Sequence, residues 1–420
     1  MKPWDWLFRA RGWGHGARRR TDHPSDRLRM LAVDLSTIAQ HDAGTGIQRV
    51  VRSLWEQLRQ ATLPGFELVA VAATVKGGYR RADLSDGGIA LPDPKQPLVE
   101  LQSGDIFLGL DLAAHRLWRH RRQVARWQRR GASIAMVIYD ILPLRRPDWF
   151  PPSTARHFGR WIRIIERHCD TALCISQSVS IDLDDVLRTR RSKRRPVIRH
   201  ALLPLSGDIG ASRPSRGMDA DGHALLMRMR RRPTILMVAT VEPRKGHAPL
   251  LDAFDRLQGR LGEQAPDLVM VGRPGWRTED VQRRMTDHAR TCAGFHWLRD
   301  VSDEFLTALY DNAALVVVPS LGEGYGLPIV EALRHGRRVL ARDLPVFREL
   351  QQPGLDYFPS DAPDALADAI IASMNAPQPP SINYAGGWDE SLARLLKALA
   401  IAQAPAVNDR PLASDISPGL

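Results

Sequence analysis

The stretch from Leu315 to His335, LVVVPSLGEGYGLPIVEALRH, constrains this chain more than any other. Val316, Val317 and Val318 form a short β-branched run, as in a strand buried on both faces of a parallel sheet. Gly322, Gly324 and Gly326 punctuate the loop that follows. Pro328 then opens a helix, where its fixed φ suits the first position and its missing N–H is no loss. Gly336 ends that helix, and residues 337–342 read as the next strand. A Gly-rich turn between strand and helix offers backbone N–H groups beside a positive helix end, a setting for phosphate. Two acids complicate it: Glu323 in the loop and Glu331 in the helix, eight positions apart. They would repel a diphosphate unless each faces hydroxyls, so the pairing points to a ligand carrying both phosphate and sugar.

The same strand, turn and helix grammar recurs along the chain. Residues 28–35 read as a strand, followed by a loop with Gly44 and Gly46 and a helix over 46–59. Ile47, Val50, Val51, Leu54 and Leu58 fall on one face of that helix. Residues 133–139 are a strongly apolar strand ending at Tyr139 and Asp140; Asp140 would also serve simply to cap the next turn. Residues 234–239 form a strand, then V-E-P-R-K-G sets Arg244 and Lys245 where a helix over 247–261 begins. Solvated loop cations are the competing reading of that pair. Residues 205–231 are polar with scattered Gly, Pro and Ser, the composition of a linker. The alternation predicts an α/β chain of two doubly wound parallel-sheet domains, over 28–204 and 232–387.

Three of these segments carry a family resemblance. E-G-Y-G-L-P-I-V-E, residues 323–331, resembles the E-x7-E signature of retaining family 4 glycosyltransferases of GT-B fold, with Tyr325 where Phe is common. V-E-P-R-K-G resembles the family's pyrophosphate-holding segment, although an Arg often found a few residues earlier is replaced by Ala239 and Thr240. The stretch around T-G-I-Q-R-V-V-R, residues 45–52, resembles bacterial polysaccharide members, including mannosyltransferases. The resemblance implies Glu323, Arg244 and Lys245 as catalytic residues. It implies Gly44, Gly46, Asp140, Gly324, Tyr325, Gly326, Leu327 and Glu331 as donor-binding residues, Glu331 at the ribose. Tyr139 stands where many members have His, so a catalytic histidine does not carry over. The family also implies that a helix at 388–403 returns to the first domain.

Charge and composition bound the partners. Lys and Arg number 59 against 47 Asp and Glu, a net +12 that predicts an anionic partner. The leader, 1–27, interleaves Trp and Phe with Arg, and the helix expected over 115–130 holds seven Arg and no acid. Both suit an anionic membrane surface; a solvated face and a poorly ordered terminus are the plainer alternatives. No nucleic-acid motif accompanies the charge, so no nucleic-acid partner is expected. The three cysteines have neither zinc spacing nor a paired framework, as in a reducing cytoplasm. Two D-x-D strings, at Asp182/Asp184 and Asp219/Asp221, read as surface acids, so no metal or cofactor is expected. Residues 404–420 read as a disordered tail.

With the charge pattern, the resemblance implies a metal-independent, retaining hexosyltransferase, cytoplasmic and peripheral at the inner membrane. It would use a GDP- or UDP-linked sugar and a glycan acceptor, lipid-linked in bacterial polysaccharide or lipopolysaccharide synthesis. A catalytically inactive GT-B binding module and a basic nucleic-acid-binding protein are the alternatives.

Overall fold

The computed structural model describes residues 27–42, 44–74, 76–84, 88–190, 197–210, 217–381 and 387–402. The basic, aromatic leader and the tail expected at 404–420 lie outside these residues, apart from Arg27. The first part of the chain runs β1 (Arg29–Asp34), α1 (Ser36–Gln40), α2 (Gly46–Gln60), β2 (Phe66–Ala72), β3 (Arg80–Arg81) and β4 (Ile106–Gly109). It continues through α3 (Ala114–Leu117), α4 (Arg121–Arg129), β5 (Ser133–Ile138), α5 (Leu142–Arg145), α6 (Pro152–His168), β6 (Thr171–Cys174), α7 (Gln177–Thr189) and β7 (Arg199–Leu202). The second part holds α8 (Ala220–Met229), β8 (Thr234–Val238), α9 (His247–Leu261), β9 (Asp267–Val271), α10 (Glu279–Thr291), β10 (Phe295–Leu298) and α11 (Asp303–Asn312). It ends with β11 (Leu315–Val318), α12 (Leu327–Arg334), β12 (Val339–Arg342), α13 (Pro345–Arg348), β13 (Leu355–Phe358), α14 (Pro363–Asn375) and α15 (Trp388–Ala398).

These strands form two sheets. The first has the order β3-β2-β1-β4-β5-β6-β7, parallel except for the antiparallel edge strand β3. The second has the order β10-β9-β8-β11-β12-β13 and is parallel throughout. Their central strands are buried on both faces, so Leu31, Ala32 and Val33 of β1 and Leu315, Val316 and Val317 of β11 are inaccessible to water. Register follows the apolar positions: Leu31 pairs with Leu68 and Ile106, and Leu236 with Val269 and Val316. One apolar cluster runs continuously from the first sheet into the second. In each sheet the winding direction reverses at one place, between β1 and β4 and between β8 and β11. Ligands of open α/β sheets sit beyond the carboxyl ends of the strands at such a reversal.

Three local expectations are corrected. The segment 205–231 is not linker throughout: Asp219 caps α8 by accepting from the Gly222 N–H at 2.8 Å, and Leu225, Leu226 and Met229 bury that helix against α11. Leu225, Leu226, Met227 and Met229, set among Gly, Arg and Asp, were too weak a signal to announce it. The helix expected over 115–130 is broken by a 3₁₀ turn at Trp118–His120. There Arg116 turns inward to donate to the Ala73 carbonyl at 3.0 Å, and His120 meets the Thr74 carbonyl at 3.0 Å. Its arginines are also not all unpaired, because Arg126 and Arg130 share Glu100. The helix α15 packs on α2 and β6 of the first domain. Trp388 donates to the Asp208 carbonyl at 3.0 Å and Ser391 to the Pro204 carbonyl at 2.7 Å.

Candidate functional site

The carboxyl ends of the two sheets face each other across a cleft of about 830 Å³. The first domain supplies the Gly44–Gly46 turn after β1, Arg49 on α2, and Tyr139 and Asp140 after β5. The second supplies Glu242, Arg244 and Lys245 after β8, Trp276 after β9, and Glu323 to Leu327 with Glu331 after β11. All these segments follow strands at or beside the two reversal points, so the topology itself gathers them. The helix α2 points its N-terminus at the cleft, capped by Thr45 and Gln48, which exchange bonds of 3.4 and 3.2 Å.

The centre of the cleft is a knot of opposed charges. Lys245 donates to Glu323 at 2.5 Å, Arg244 at 3.2 Å and Ser320 at 2.8 Å. Burial pushes the Glu323 pKa up, but Lys245 and then Arg244 outweigh it and hold the carboxylate at about 2. Arg244 also donates to the Gly322 carbonyl at 2.9 Å, lies 3.2 Å from Glu242, and stands over the Phe150 ring. Burial raises the pKa values of Asp140 and Glu242, opposed in each case by Arg244 and Lys245. Asp140 accepts from the Leu142 N–H at 3.1 Å, so it caps the turn and faces the cations together. Three carboxylates thus surround two cations before any ligand enters.

Glu331 lies in a different setting, 3% exposed. One oxygen accepts from Arg49 at 2.6 Å, across the cleft, and the other from the Tyr310 hydroxyl at 2.7 Å. Arg49 also reaches Asp303 at 3.7 Å. Burial works against the charged guanidinium, but Glu331 and then Asp303 raise its pKa above the ordinary value. The sequence reading placed Glu331 facing hydroxyls and did not find Arg49, Asp303, Tyr310 or Glu242. The one available signal for Arg49 was a cation between the buried positions Gln48 and Val50 of an amphipathic helix.

Close backbone approach explains two glycines of the loop. A Cβ on Gly324 would stand 1.9 Å from the Tyr139 carbonyl oxygen, so the two domains touch there through bare backbone. Gly326 has φ +105 and precedes α12, a conformation that side-chain-bearing residues rarely adopt. Gly46 and Leu327 meet across the cleft, where a Cβ on Gly46 would lie 3.3 Å from the Leu327 side chain. Tyr325 lines the cleft, yet its hydroxyl is occupied: it donates to the Leu205 carbonyl at 2.8 Å and receives the Leu205 N–H at 2.9 Å. That accounts for a tyrosine where phenylalanine was expected. Tyr139 is 3% exposed and donates to the Leu110 carbonyl at 2.8 Å, so its phenol is turned into the first domain.

Two doubly wound domains facing each other across a cleft define the GT-B class. Residues 232–376, most of the second domain, match the family described as Glycosyl transferases group 1. Over 386 residues the chain is 37% identical to the serotype-specific mannosyltransferase WbdA of Escherichia coli, covering 89% of this chain and 45% of that protein. The chain therefore spans about half the length of the curated relatives it matches. The phosphatidyl-myo-inositol mannosyltransferase of Mycobacterium tuberculosis is 33% identical over 172 residues, 38% of this chain and 43% of that one. Among solved structures, HepE of Anabaena, in complex with UDP and glucose, superposes with a TM-score of 0.57 at 13% identity, covering 89% of this chain and 94% of that one. Sucrose-phosphate synthase from Thermosynechococcus elongatus gives 0.57 at 16% identity, with the same coverage. No helix among the described residues is long and apolar enough to cross a membrane.

Proposed function

We propose that this chain is a retaining hexosyltransferase that moves a hexose, mannose or a related sugar, from a nucleotide diphosphate sugar to a growing bacterial glycan. The observation that carries the reading is the convergence of Arg244 and Lys245 after β8 with Glu323 and Glu331 after β11 at one reversal point. Departure of a nucleoside diphosphate builds negative charge on its β-phosphate. Fixed cations and helix N–H dipoles aimed there lower the barrier without reorganising. Arg244, Lys245, the α12 N-terminus and the Gly44–Gly46 turn fill that role. Glu323 beside the cations orients the sugar, and Glu331 takes the ribose hydroxyls once Arg49 gives way. The leaving phosphate itself assists the incoming hydroxyl on the same face, so no protein nucleophile and no metal take part. The mannosyltransferase names of the relatives support the sugar, and the UDP in HepE supports a nucleotide diphosphate donor, GDP- or UDP-linked.

The acceptor is a lipid-linked glycan in polysaccharide or O-antigen synthesis, met at the cytoplasmic face of the inner membrane. The aromatic and basic leader and the arginines of α4 support that location. A panel of GDP- and UDP-sugars tests the donor by hydrolysis, with GDP-mannose turned over fastest. Binding without turnover of any donor would instead support an inactive sugar-nucleotide module, a reading favoured by the turned-in phenol of Tyr139.

A further inference from the structure

A second concave site lies away from the cleft. The helices α4 and α6 border a groove of about 400 Å³ lined by Arg121, Arg122, Arg126, Arg129, Arg167 and His168. Of these, Arg126 is paired with Glu100 at 2.9 Å, and Arg121 donates to the Trp118 carbonyl with its guanidinium 4.8 Å from that indole. Among the described residues Arg122, Arg129 and Arg167 pair with no acid, and all three are exposed. The cations continue along α6. Arg156, Arg160, Arg163 and Arg167 are exposed at spacings of four, three and four, which puts them on one face of the helix. The only acid of α6 is Glu166, which is buried and faces Arg190 at 3.3 Å.

The stripe faces away from the cleft: Thr154 and Phe158, which line the cleft, lie on the opposite side of α6 from these four arginines. The helix dipole accounts for cations in the last turn of α6, but not for the three arginines before it. The neighbouring His168 registers the same field: burial and then Arg167 and Arg129 lower its pKa, against an opposing pull from Asp170. Like charges at helical spacing destabilise the helix that carries them, and an anion relieves them. The planar guanidinium fork matches phosphate oxygens two at a time.

We infer that the α4–α6 groove, with the arginine stripe of α6 beside it, is a binding site for a phosphate-bearing anion, separate from the cleft. The phosphate can be carried by a lipid headgroup or be free in solution, and one experiment separates the two. The full chain is first saturated with GDP or UDP, so that the cleft is occupied. Inorganic pyrophosphate is then titrated by calorimetry, and in parallel the protein is floated with phosphatidylglycerol or phosphatidylcholine vesicles.

Pyrophosphate binding supports a free anion, and flotation with phosphatidylglycerol alone supports a headgroup. Arg122→Glu, Arg129→Glu and Arg167→Glu together should weaken whichever arm responds by about a hundredfold, while nucleoside diphosphate affinity stays unchanged. A control with Arg256→Glu, Arg260→Glu and Arg283→Glu on the second domain, equal in charge, should change it less than about twofold. If the triple variant loses its native melting transition, Arg167→Gln alone should still weaken binding. Response in neither arm, equal loss in triple and control, or binding only to single-stranded RNA overturns the site. Loss of nucleotide binding in the parent chain would instead count against the donor reading.

Discussion

At the scale of residues, Glu323 sets the charge balance of the cleft. Its pKa of about 2 lies below the ordinary 4.5, so its ion pairs contribute stability that is present above pH 4.5 and lost as the pH falls through about 2. Lys245→Met removes the strongest charge holding it down, so the Glu323 pKa rises and that contribution shrinks. Urea unfolding at pH 7 and pH 3 should therefore differ less for the variant than for the parent; an equal difference would sink the assignment. Arg244→Ala and Lys245→Ala should each lower kcat by about 10²–10³, the usual cost of one donor to a developing anion. Melting temperature should fall much less, and a matched loss of both would make these residues structural. Glu331→Gln should weaken nucleoside diphosphate binding by about 1.5–3 kcal/mol for each charge-assisted bond lost. Calorimetry reads it, and unchanged affinity in a folded variant would remove Glu331 from the ribose.

At the scale of elements, the loop between β11 and α12 does two separate things. Its one acid, Glu323, faces the cleft, while its backbone closes the two domains on each other. Gly324 lies against the Tyr139 carbonyl, and Ser176, which caps α7, donates to the Gly324 carbonyl at 2.7 Å. Gly324→Ala cannot keep that contact, because a backbone oxygen 1.9 Å away has no rotamer to move to. Small-angle scattering should show a more open particle, and donor turnover should collapse. Gly46→Ala meets only the flexible Leu327 side chain at 3.3 Å and should leave the dimensions of the particle nearly unchanged. Similar behaviour of the two variants would refute closure through the backbone. Tyr325→Phe should lower stability by about 1–3 kcal/mol, because the Leu205 N–H and carbonyl lose their shared hydroxyl in a buried place.

At the scale of the whole molecule, closure is held by contacts that the sheets alone would not provide. Arg49 spans the cleft to Glu331, Trp276 donates to the Trp149 carbonyl at 2.8 Å, and Glu349 accepts the Gln177 N–H at 2.8 Å and the Ser178 N–H at 2.7 Å at the start of α7. A nucleotide that takes Glu331 must dislodge Arg49, which still has Asp303 within reach. On the proposed reading, nucleotide binding and domain closure would be coupled through the Arg49 guanidinium. The chemistry proposed for the cleft routes its charge through protein cations, so turnover of the preferred donor should persist in EDTA. Abolition by the chelator, restored by a divalent ion, would contradict that mechanism.

Residues 315–335 and 234–261 were legible in the sequence because their signals are local. A β-branched run, a glycine turn and a proline-opened helix each follow from a few neighbouring side chains, so both reversal-point strands of the second sheet and their loops could be placed. Glu323, Arg244 and Lys245 were legible for the same reason, since each sits in a turn defined by its own neighbours. The partners of those residues were not. Arg49 and Glu331 are 282 positions apart, and nothing in either helix names the other. The turned-in phenol of Tyr139, the hydroxyl of Tyr325 on Leu205 and the arginine stripe of α6 beside α4 likewise depend on which elements pack together. Local sequence decides what a segment can become; packing decides which charges meet, because burial and neighbours, not spacing, set the energy of a carboxylate or a guanidinium.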